Sequence, residues 1–541
     1  MNWKRPLAAA AICAGLSTGL TGCETGMDNR ASVARSTGPS ATGRLTYGNQ
    51  SEPSVTFGGE RYPELPDQGF QQVAAQPLST FSVDVDTAAY SHVRRILKSG
   101  QMPPRDAVRI EEMVNYFDYS YPRPLNREEP FAITTTVLPN PWNADTRLLH
   151  VGLQGYRVPR QARPPVNLVF LIDVSGSMKG ADRLDLAKRS LKGMMKGLNA
   201  ADCIAIVTFA DGSKTVLEPT SLTERAEIES AINRLQAGGG TGGEKGLLHA
   251  YSVADHQFRV EAVNRVILIS DGDFNLGASD PASMRKLITK KRRSGIYLSV
   301  LTVGNGNTND HIAQALAQAG NGQAAHLDSL AEARKVLDDE VTANLIPIAD
   351  DVKIQVEFNP AVVASYRLIG YETRALRNRD FRNDRVDAGD VGSGHSVTAL
   401  YEIALVPHLA RAAQGFRYQP AKADGAGSAD VDANLTTGRQ GEYAFVKLRY
   451  KEPGSSSSHR LDRPVSQEDE VALVKEAPED LRFALAVAAF GQILRGEIDT
   501  RDFGYDDVLE LARSGRSSDP LGRRGEFIQL VRQAEGISGG W

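Results

Sequence analysis

The stretch that decides the fold is Asn167–Met178, which reads NLVFLIDVSGSM. Its apolar first half ends at Asp173, and two hydroxyl side chains, Ser175 and Ser177, follow at alternate positions. A short apolar run that stops at acidic and small residues is typical of a buried parallel strand whose carboxyl end opens into a loop. Ligands of open α/β sheets bind outside such strand ends. Because hard oxygen donors suit Mg²⁺ better than Zn²⁺, and no Cys or His lies nearby, the stretch predicts a Mg²⁺ site.

Two later segments supply the rest of this site. Thr241 lies in the glycine-rich stretch GGGTGG, and Asp271 ends a second apolar run, VILISD. The ordered set resembles the metal-ion-dependent adhesion site of von Willebrand factor A (VWA) domains, in which DxSxS is followed by a loop threonine and then by an aspartate after an apolar strand. All five positions match: Asp173, Ser175, Ser177, Thr241 and Asp271.

The resemblance implies a role for each of these residues. In the family the two serines, and in one state the threonine, bind Mg²⁺ directly, while the two aspartates act through water; Mn²⁺ is a possible substitute. Few charged groups next to the ion leave it electrophilic, so an Asp or Glu of a partner protein can complete its octahedron. For any single Ser or Asp of this set taken alone, a helix N-cap or a turn residue is the favoured interpretation.

The region around the motif has the pattern of a complete VWA domain, for which we predict the bounds 164–345. Expected strands lie near 203–209, 266–271 and 296–303, and expected helices near 182–198, 224–235, 244–254, 281–293 and 310–319. Alternation at this spacing predicts an α/β fold with a doubly wound, mostly parallel, Rossmann-like VWA sheet. A β-sandwich-like region and C-terminal helices are expected to flank it.

The flanking segments resemble domains of a bacterial VWA lipoprotein family. Residues 77–160 resemble its VWA-associated N-terminal domain, and residues 346–541, β-rich and then helical, resemble its uncharacterised C-terminal domain. We hypothesise that the strands of 131–154 pair with strands from 353–450. They would then form one β-sandwich, with the VWA domain inserted between its halves.

The N-terminus predicts export and lipidation. A basic start and the short apolar stretch 6–20 are typical of a secretory signal, and the ending LTGC resembles a lipobox, which implies acylation of Cys23. An ordinary signal peptide with an incidental cysteine is the alternative. We therefore expect a signal peptide over 1–23 and a disordered, Gly- and Ser-rich tether over 24–76. Glu24 favours the outer membrane, facing the periplasm; the inner membrane and the cell surface are the alternatives.

Composition excludes some classes of partner. The formal net charge is −4 and the pI is near 6.2, so the overall charge does not indicate nucleic-acid binding. The basic run 290–293 is interpreted as a solvated helix face. The sequence has only Cys23 and Cys203 after the signal, so it contains no disulfide framework.

Three functions follow from these observations. The leading hypothesis is a non-enzymatic, Mg²⁺-dependent protein-binding module for adhesion or scaffolding, attached to the membrane only through its N-terminal lipid. A metal-assisted hydrolase of envelope material is an alternative, because Mg²⁺ can polarise a carbonyl or phosphoryl group. However, no general base or nucleophile dyad is evident beside the five site residues. An assembly factor for an envelope complex is the third.

Overall fold

The computed structural model of the protein describes residues 54–57, 60–66, 68–83, 85–240, 242–272, 281–306, 308–340, 346–384, 386, 388–406 and 441–539. Its N-terminal elements are β1 (Ser54–Phe57), β2 (Glu60–Pro63), β3 (Gln71–Gln72), β4 (Leu78–Ser82), α1 (Ala88–Lys98), α2 (Ile110–Val114), β5 (Phe131–Pro139) and β6 (Arg147–Gly155). Strands β1 and β2 form an antiparallel hairpin.

The predicted disordered tether is wrong for its last part, because residues 54–76 contain β1, β2 and β3. Tyr62 is completely buried, and its hydroxyl donates to Glu60 at 2.6 Å. Glu60 also pairs with Arg95 of α1 at 2.5 Å. Arg95 lies 35 residues along the chain from Glu60, so the polar composition of the segment did not indicate this contact. Residues 23–53, with the predicted lipidation site, lie outside the described residues.

The middle of the chain alternates strands and helices. These elements are β7 (Val166–Asp173), α3 (Leu184–Met194), β8 (Cys203–Phe209), β9 (Ser213–Ser221), α4 (Arg225–Arg234), α5 (Gly243–His256), β10 (Val263–Ser270), α6 (Pro281–Arg293), β11 (Ile296–Val303), α7 (Asp310–Ala319), β12 (Ala324–Leu327), α8 (Leu330–Arg334) and a π-helical continuation, Lys335–Glu340.

These strands form one six-stranded sheet in the order β12-β11-β10-β7-β8-β9, parallel except for β9. Every residue of β7 is buried, because both faces of the sheet are covered. Phe170 and Ile172 pack with α3, α4 and α8, whereas Val169 and Leu171 pack with α5, α6 and α7. The predicted doubly wound, mostly parallel sheet is confirmed.

The C-terminal part continues with antiparallel strands and then helices. Its elements are β13 (Pro347–Phe358), β14 (Val363–Leu368), β15 (Ala375–Leu376), β16 (Val391–Gly392), β17 (Ser396–Leu405), β18 (Glu442–Lys451), β19 (Ser458–Ser466), α9 (Glu479–Leu494), α10 (Tyr505–Ser514) and α11 (Arg523–Ser538).

Strands that precede the parallel-sheet domain in the chain combine with strands that follow it in one β-sandwich, as hypothesised. One layer has the order β15-β4-β13-β18-β19, with β16 also pairing with β13, and the other has the order β3-β14-β17-β6-β5. Strand β6 pairs with β17, Leu149 lying opposite Tyr401, and β4 pairs with β13. The two layers share one apolar core. The parallel-sheet domain is therefore an insertion between β6 and β13.

The last three helices pack with α1 and α2 around an aromatic cluster. The ring of Phe483 lies 4.9 Å from that of Phe117 and 5.3 Å from that of Phe527, which in turn lies 5.5 Å from Phe490. All four side chains are buried, and each contributes about 1.5–3 kcal/mol through burial. Of the helices in the described ranges, none has the length and apolar character that crossing a bilayer requires.

Glu111 of α2 is a buried carboxyl group in this helical layer, only 1% exposed. Gly370 approaches it so closely that a Cβ there would lie 2.7 Å from Glu111 Oε2, and the φ of Gly370 is +76°. Burial, followed by repulsion from Glu372 and Glu112, raises the pKa of Glu111 to about 7. The folded chain therefore favours the neutral form of this group.

This pKa predicts a pH-dependent stability. Because the folded pKa lies above the ordinary value of 4.5, both states hold the proton at low pH, and stability is lost as pH rises through the folded pKa, by about 3 kcal/mol in total. We expect Glu111→Gln to unfold at a higher urea concentration than the wild type at about pH 8, and to differ little from it at about pH 4. The exposed Glu128→Gln is the control. Parallel pH profiles for Glu111→Gln and the wild type would contradict the prediction.

Candidate metal centre

The carboxyl ends of β7 and β10 bring two of the predicted site residues together. The two strands are parallel neighbours, with Ile172 opposite Ile269, so Asp173 and Asp271 emerge at the same edge of the sheet. Their exposed fractions are 0% and 2%. Two carboxyl groups taken out of water in one place are unfavourable unless something compensates their charge.

The loop after β7 folds the two predicted serines back onto Asp173. The backbone N–H of Ser175 donates to Asp173 Oδ1 at 2.8 Å, and the hydroxyls of Ser175 and Ser177 lie 3.0 Å apart. The other oxygen, Oδ2, accepts a hydrogen bond from Ser270 at 2.9 Å. Ser270 is a site residue that the sequence analysis missed, although it directly precedes Asp271.

Electrostatics at this edge favour a cation. Burial raises the pKa of Asp173, hydrogen bonds from Ser175 and Ser270 oppose that rise, and the nearby Asp271 adds to it. Both carboxylate oxygens of Asp271 are buried, and among the described residues neither accepts a hydrogen bond. Leaving such a group without a partner costs about 1–3 kcal/mol, and more when it is charged.

The donors present fit a hard divalent ion. Two buried carboxyl groups and two adjacent hydroxyls are oxygen ligands of the kind that Mg²⁺ takes. Within the described ranges, no group of three or more His, Cys, Asp or Glu side chains is arranged to hold a metal. This centre is not a group of that kind, because two of its four described donors are hydroxyls. The four donors are Asp173, Ser175, Ser177 and Asp271.

Arg183 is a second residue that the sequence analysis missed. Its guanidinium lies 3.8 Å from the Asp271 carboxylate and donates to the backbone carbonyls of Ser177 and, at 3.1 Å, Asn305. The side chain passes directly over Gly304, where a Cβ would lie 2.7 Å from Arg183 Cγ. Arg183 therefore ties the serine loop to the loop after β11 and partly neutralises Asp271. No local motif marks it, because its partners come from separate strand ends.

The glycine-rich loop lies against the serine loop. Thr241 itself is outside the described residues, and its place in the site stays a prediction. Its neighbours are close to the centre, since the N–H of Gly176 donates to Gly239 O at 3.0 Å. Asp211 accepts from the N–H of Gly240 at 2.7 Å, and Gly239 has a φ of +90°. A loop held in this way runs beside the hydroxyls of the DxSxS motif.

Three family models match successive parts of the chain. Residues 167–339 match the von Willebrand factor type A domain, and residues 56–150 match a model described as von Willebrand factor. Residues 343–537 match the C-terminal domain of the uncharacterized protein YfbK. VWA domains are protein-interaction or adhesion modules, generally non-catalytic, and often bind a divalent metal at the adhesion site.

Individual relatives resemble the chain over different shares of its length. The chain is 41% identical to the uncharacterized protein YfbK of Escherichia coli K12 over 491 residues, which cover 89% of this chain and 82% of that one. It is 28% identical to inter-alpha-trypsin inhibitor heavy chain H2 of Sus scrofa, over 26% of this chain and 16% of that one. A von Willebrand factor type A structure from Catenulispora acidiphila covers 77% of this chain and 91% of its own, at 16% identity and a TM-score of 0.42. From the first relative and the family matches, the chain belongs to the YfbK family of VWA proteins.

Proposed function

We propose that the protein is a Mg²⁺-dependent binding module that recruits another protein through an Asp or Glu carboxylate. The observation that carries this proposal is the buried Asp271 carboxylate, which lacks a hydrogen-bond donor among the described residues and lies at the same sheet edge as two adjacent serine hydroxyls. Ser175, Ser177 and Thr241 would hold the ion, and Asp173 and Asp271 would act through water. The bound ion would supply an electrophilic position for the partner carboxylate.

The described contacts of the centre favour binding over catalysis. A serine nucleophile needs an adjacent base. In the described part of the chain, the hydroxyls of Ser175 and Ser177 bond to each other, and no hydrogen bond joins them to a histidine, lysine or cysteine. The guanidinium of Arg183 stays protonated and cannot serve as a base. A hydrolase is therefore the weaker proposal.

We also propose a cellular location for the protein from its N-terminus. Acylation of Cys23 would anchor the chain in the outer membrane, facing the periplasm, and residues 24–53 would carry the folded part away from the bilayer. The wild type is expected to incorporate labelled palmitate, and Cys23→Ser is expected to incorporate none. Metabolic labelling of both proteins tests this, and label in Cys23→Ser equal to that in the wild type would contradict it.

Partner capture tests the binding function. The wild type would be cross-linked in intact envelopes with Mg²⁺ and with a chelator, alongside Thr241→Ala and the exposed control Ser252→Ala. We expect the same partner with the wild type and Ser252→Ala in Mg²⁺, and its loss in the chelator and in Thr241→Ala. Equal capture under all four conditions would mean that the metal centre does not bind the partner.

A further inference from the structure

A basic groove crosses the outer surface of α3, on the VWA face that also carries α4 and α8. Its volume is about 400 Å³. Its lining includes Ser190 and Gly193 of α3, residues of α4, and Leu330 and Arg334 of α8. A Cβ added to Gly193 would meet nothing within 4 Å, so this part of the groove is open to a ligand.

The charged side chains of this groove are mostly positive. Five cationic side chains line it: Arg189, Lys192, Lys196, Arg225 and Arg334. The one carboxylate in the lining, Glu229, pairs with Arg225 at 2.9 Å. Arg189, Lys196 and Arg334 are exposed and form no ion pair with a carboxylate of the described ranges.

Helix stability accounts for only part of this charge. Lys192 and Arg334 lie in the last turns of α3 and α8, where cations are favoured by the helix dipole. Arg225 is the first residue of α4, where the dipole is positive and a cation is disfavoured. Arg189 is interior to α3, and Lys196 lies beyond its end. Like charges gathered in one concavity repel each other and attract an anion.

The groove is separate from the metal centre. Helix α3 starts after the serine loop and ends before β8, whose first residue, Cys203, lies opposite Asn167 at the amino end of β7. Helix α4 follows Ser221, which lies opposite Cys203. Lys196 and Arg225 therefore lie toward the sheet end opposite Asp173. The groove does not depend on the proposed metal function.

We propose that this groove binds a ligand that carries more than one phosphate group. Arginine forks bind phosphate oxygens in a bidentate way, and lysines add point charges. The volume falls within the range of small-ligand sites, about 300–1,000 Å³. Paired phosphate groups occur on soluble diphosphates and on the headgroup of cardiolipin, and the shared chemistry is what the groove recognises.

Titration calorimetry of the full chain with inorganic pyrophosphate tests the proposal. Arg189→Gln combined with Arg334→Gln removes two exposed charges without touching the core. Lys290→Gln combined with Arg293→Gln on α6, across the sheet, removes the same charge and is the matched control. We expect pyrophosphate to bind the wild type and the control alike, and the groove variant at least about tenfold more weakly.

A second arm identifies the source of the phosphate. Sedimentation with phosphatidylcholine vesicles, with and without cardiolipin, compares the same three proteins. Stronger binding to the cardiolipin vesicles than to phosphatidylcholine alone, with that difference lost in the groove variant, supports the proposal and assigns a lipid headgroup. Absence of binding to both probes, equal loss in the groove and control variants, or equally tight binding of sulfate would overturn it.

Discussion

Replacing Arg94 with methionine should lower the free energy of unfolding by about 3–5 kcal/mol, the range for breaking a buried ion pair by removing one partner. Arg94 of α1 is 3% exposed. Its guanidinium pairs with Glu332 of α8 at 2.7 Å and with Glu526 of α11 at 3.2 Å, and also contacts Asp328. One side chain thus joins the last VWA helix to the N-terminal and C-terminal helices.

The cost comes from the charge that the variant would leave behind. Burial alone raises the pKa of Glu332, but Arg94, Lys335 and a hydrogen bond from Tyr116 outweigh it, and the net pKa is lowered. Glu332 is 1% exposed. Without Arg94, an ionised carboxylate would remain in the core with less compensation. Methionine has a similar volume, so the decrease in the free energy of unfolding would measure the removal of the charge and not the creation of a cavity.

Lys98→Met on the same helix is the matched control. Lys98 pairs with the same partner, Glu526, at 2.6 Å, but the two side chains are 53% and 31% exposed. Exposed ion pairs contribute about 0–1 kcal/mol. Urea unfolding of both variants measures the difference. Similar losses for Arg94→Met and Lys98→Met would show that burial does not set the strength of this junction.

The second large effect concerns Asp271→Asn in the presence of Mg²⁺. An ion that binds only the folded wild type adds about 2.7 kcal/mol of stability at a hundredfold excess over its dissociation constant. Removing the carboxylate should weaken ion binding about 10–100-fold, so the variant should lose about 1.3–2.3 kcal/mol of this gain. In chelator, Asp271→Asn should be no less stable than the wild type, because the buried Asp271 oxygens accept no hydrogen bond from the described residues.

Thermal unfolding with and without Mg²⁺ measures this dependence. Asp145→Asn removes an exposed carboxylate from the turn between β5 and β6 and should keep the full Mg²⁺ gain. If Asp271→Asn gained as much stability from Mg²⁺ as Asp145→Asn, the ion would bind elsewhere.

Local patterns were sufficient to predict the parallel sheet and the position of Asp173, Ser175, Ser177 and Asp271 at one edge of it, while their binding of a metal stays a prediction. The apolar runs of β7 and β10 end at the aspartates, and α6, β11 and α7 have the predicted bounds. The structure confirms that Asp173 and the serines of the DxSxS motif meet at a strand end. In each case the sequence signal is a short hydrophobic repeat or an abrupt change from apolar to polar residues.

Other features depend on contacts between distant segments. Strand β12, Ala324–Leu327, was missed because its four residues, Ala-Ala-His-Leu, are too few to show a hydrophobic repeat, yet pairing with β11 places them in the sheet. The order of residues 54–76 depends on contacts such as that of Glu60 with Arg95. Arg183 enters the metal centre from a helix start and contacts two separate loops.

The most direct test of the metal-dependent account is Mn²⁺ binding to the full chain, followed by electron paramagnetic resonance. The account predicts one Mn²⁺ held per chain, displaced by Mg²⁺, and lost when Ser175→Ala and Ser177→Ala are combined. The Ser252→Ala control should bind like the wild type. Undiminished Mn²⁺ binding by the double serine variant would contradict the assignment of these hydroxyls as ligands.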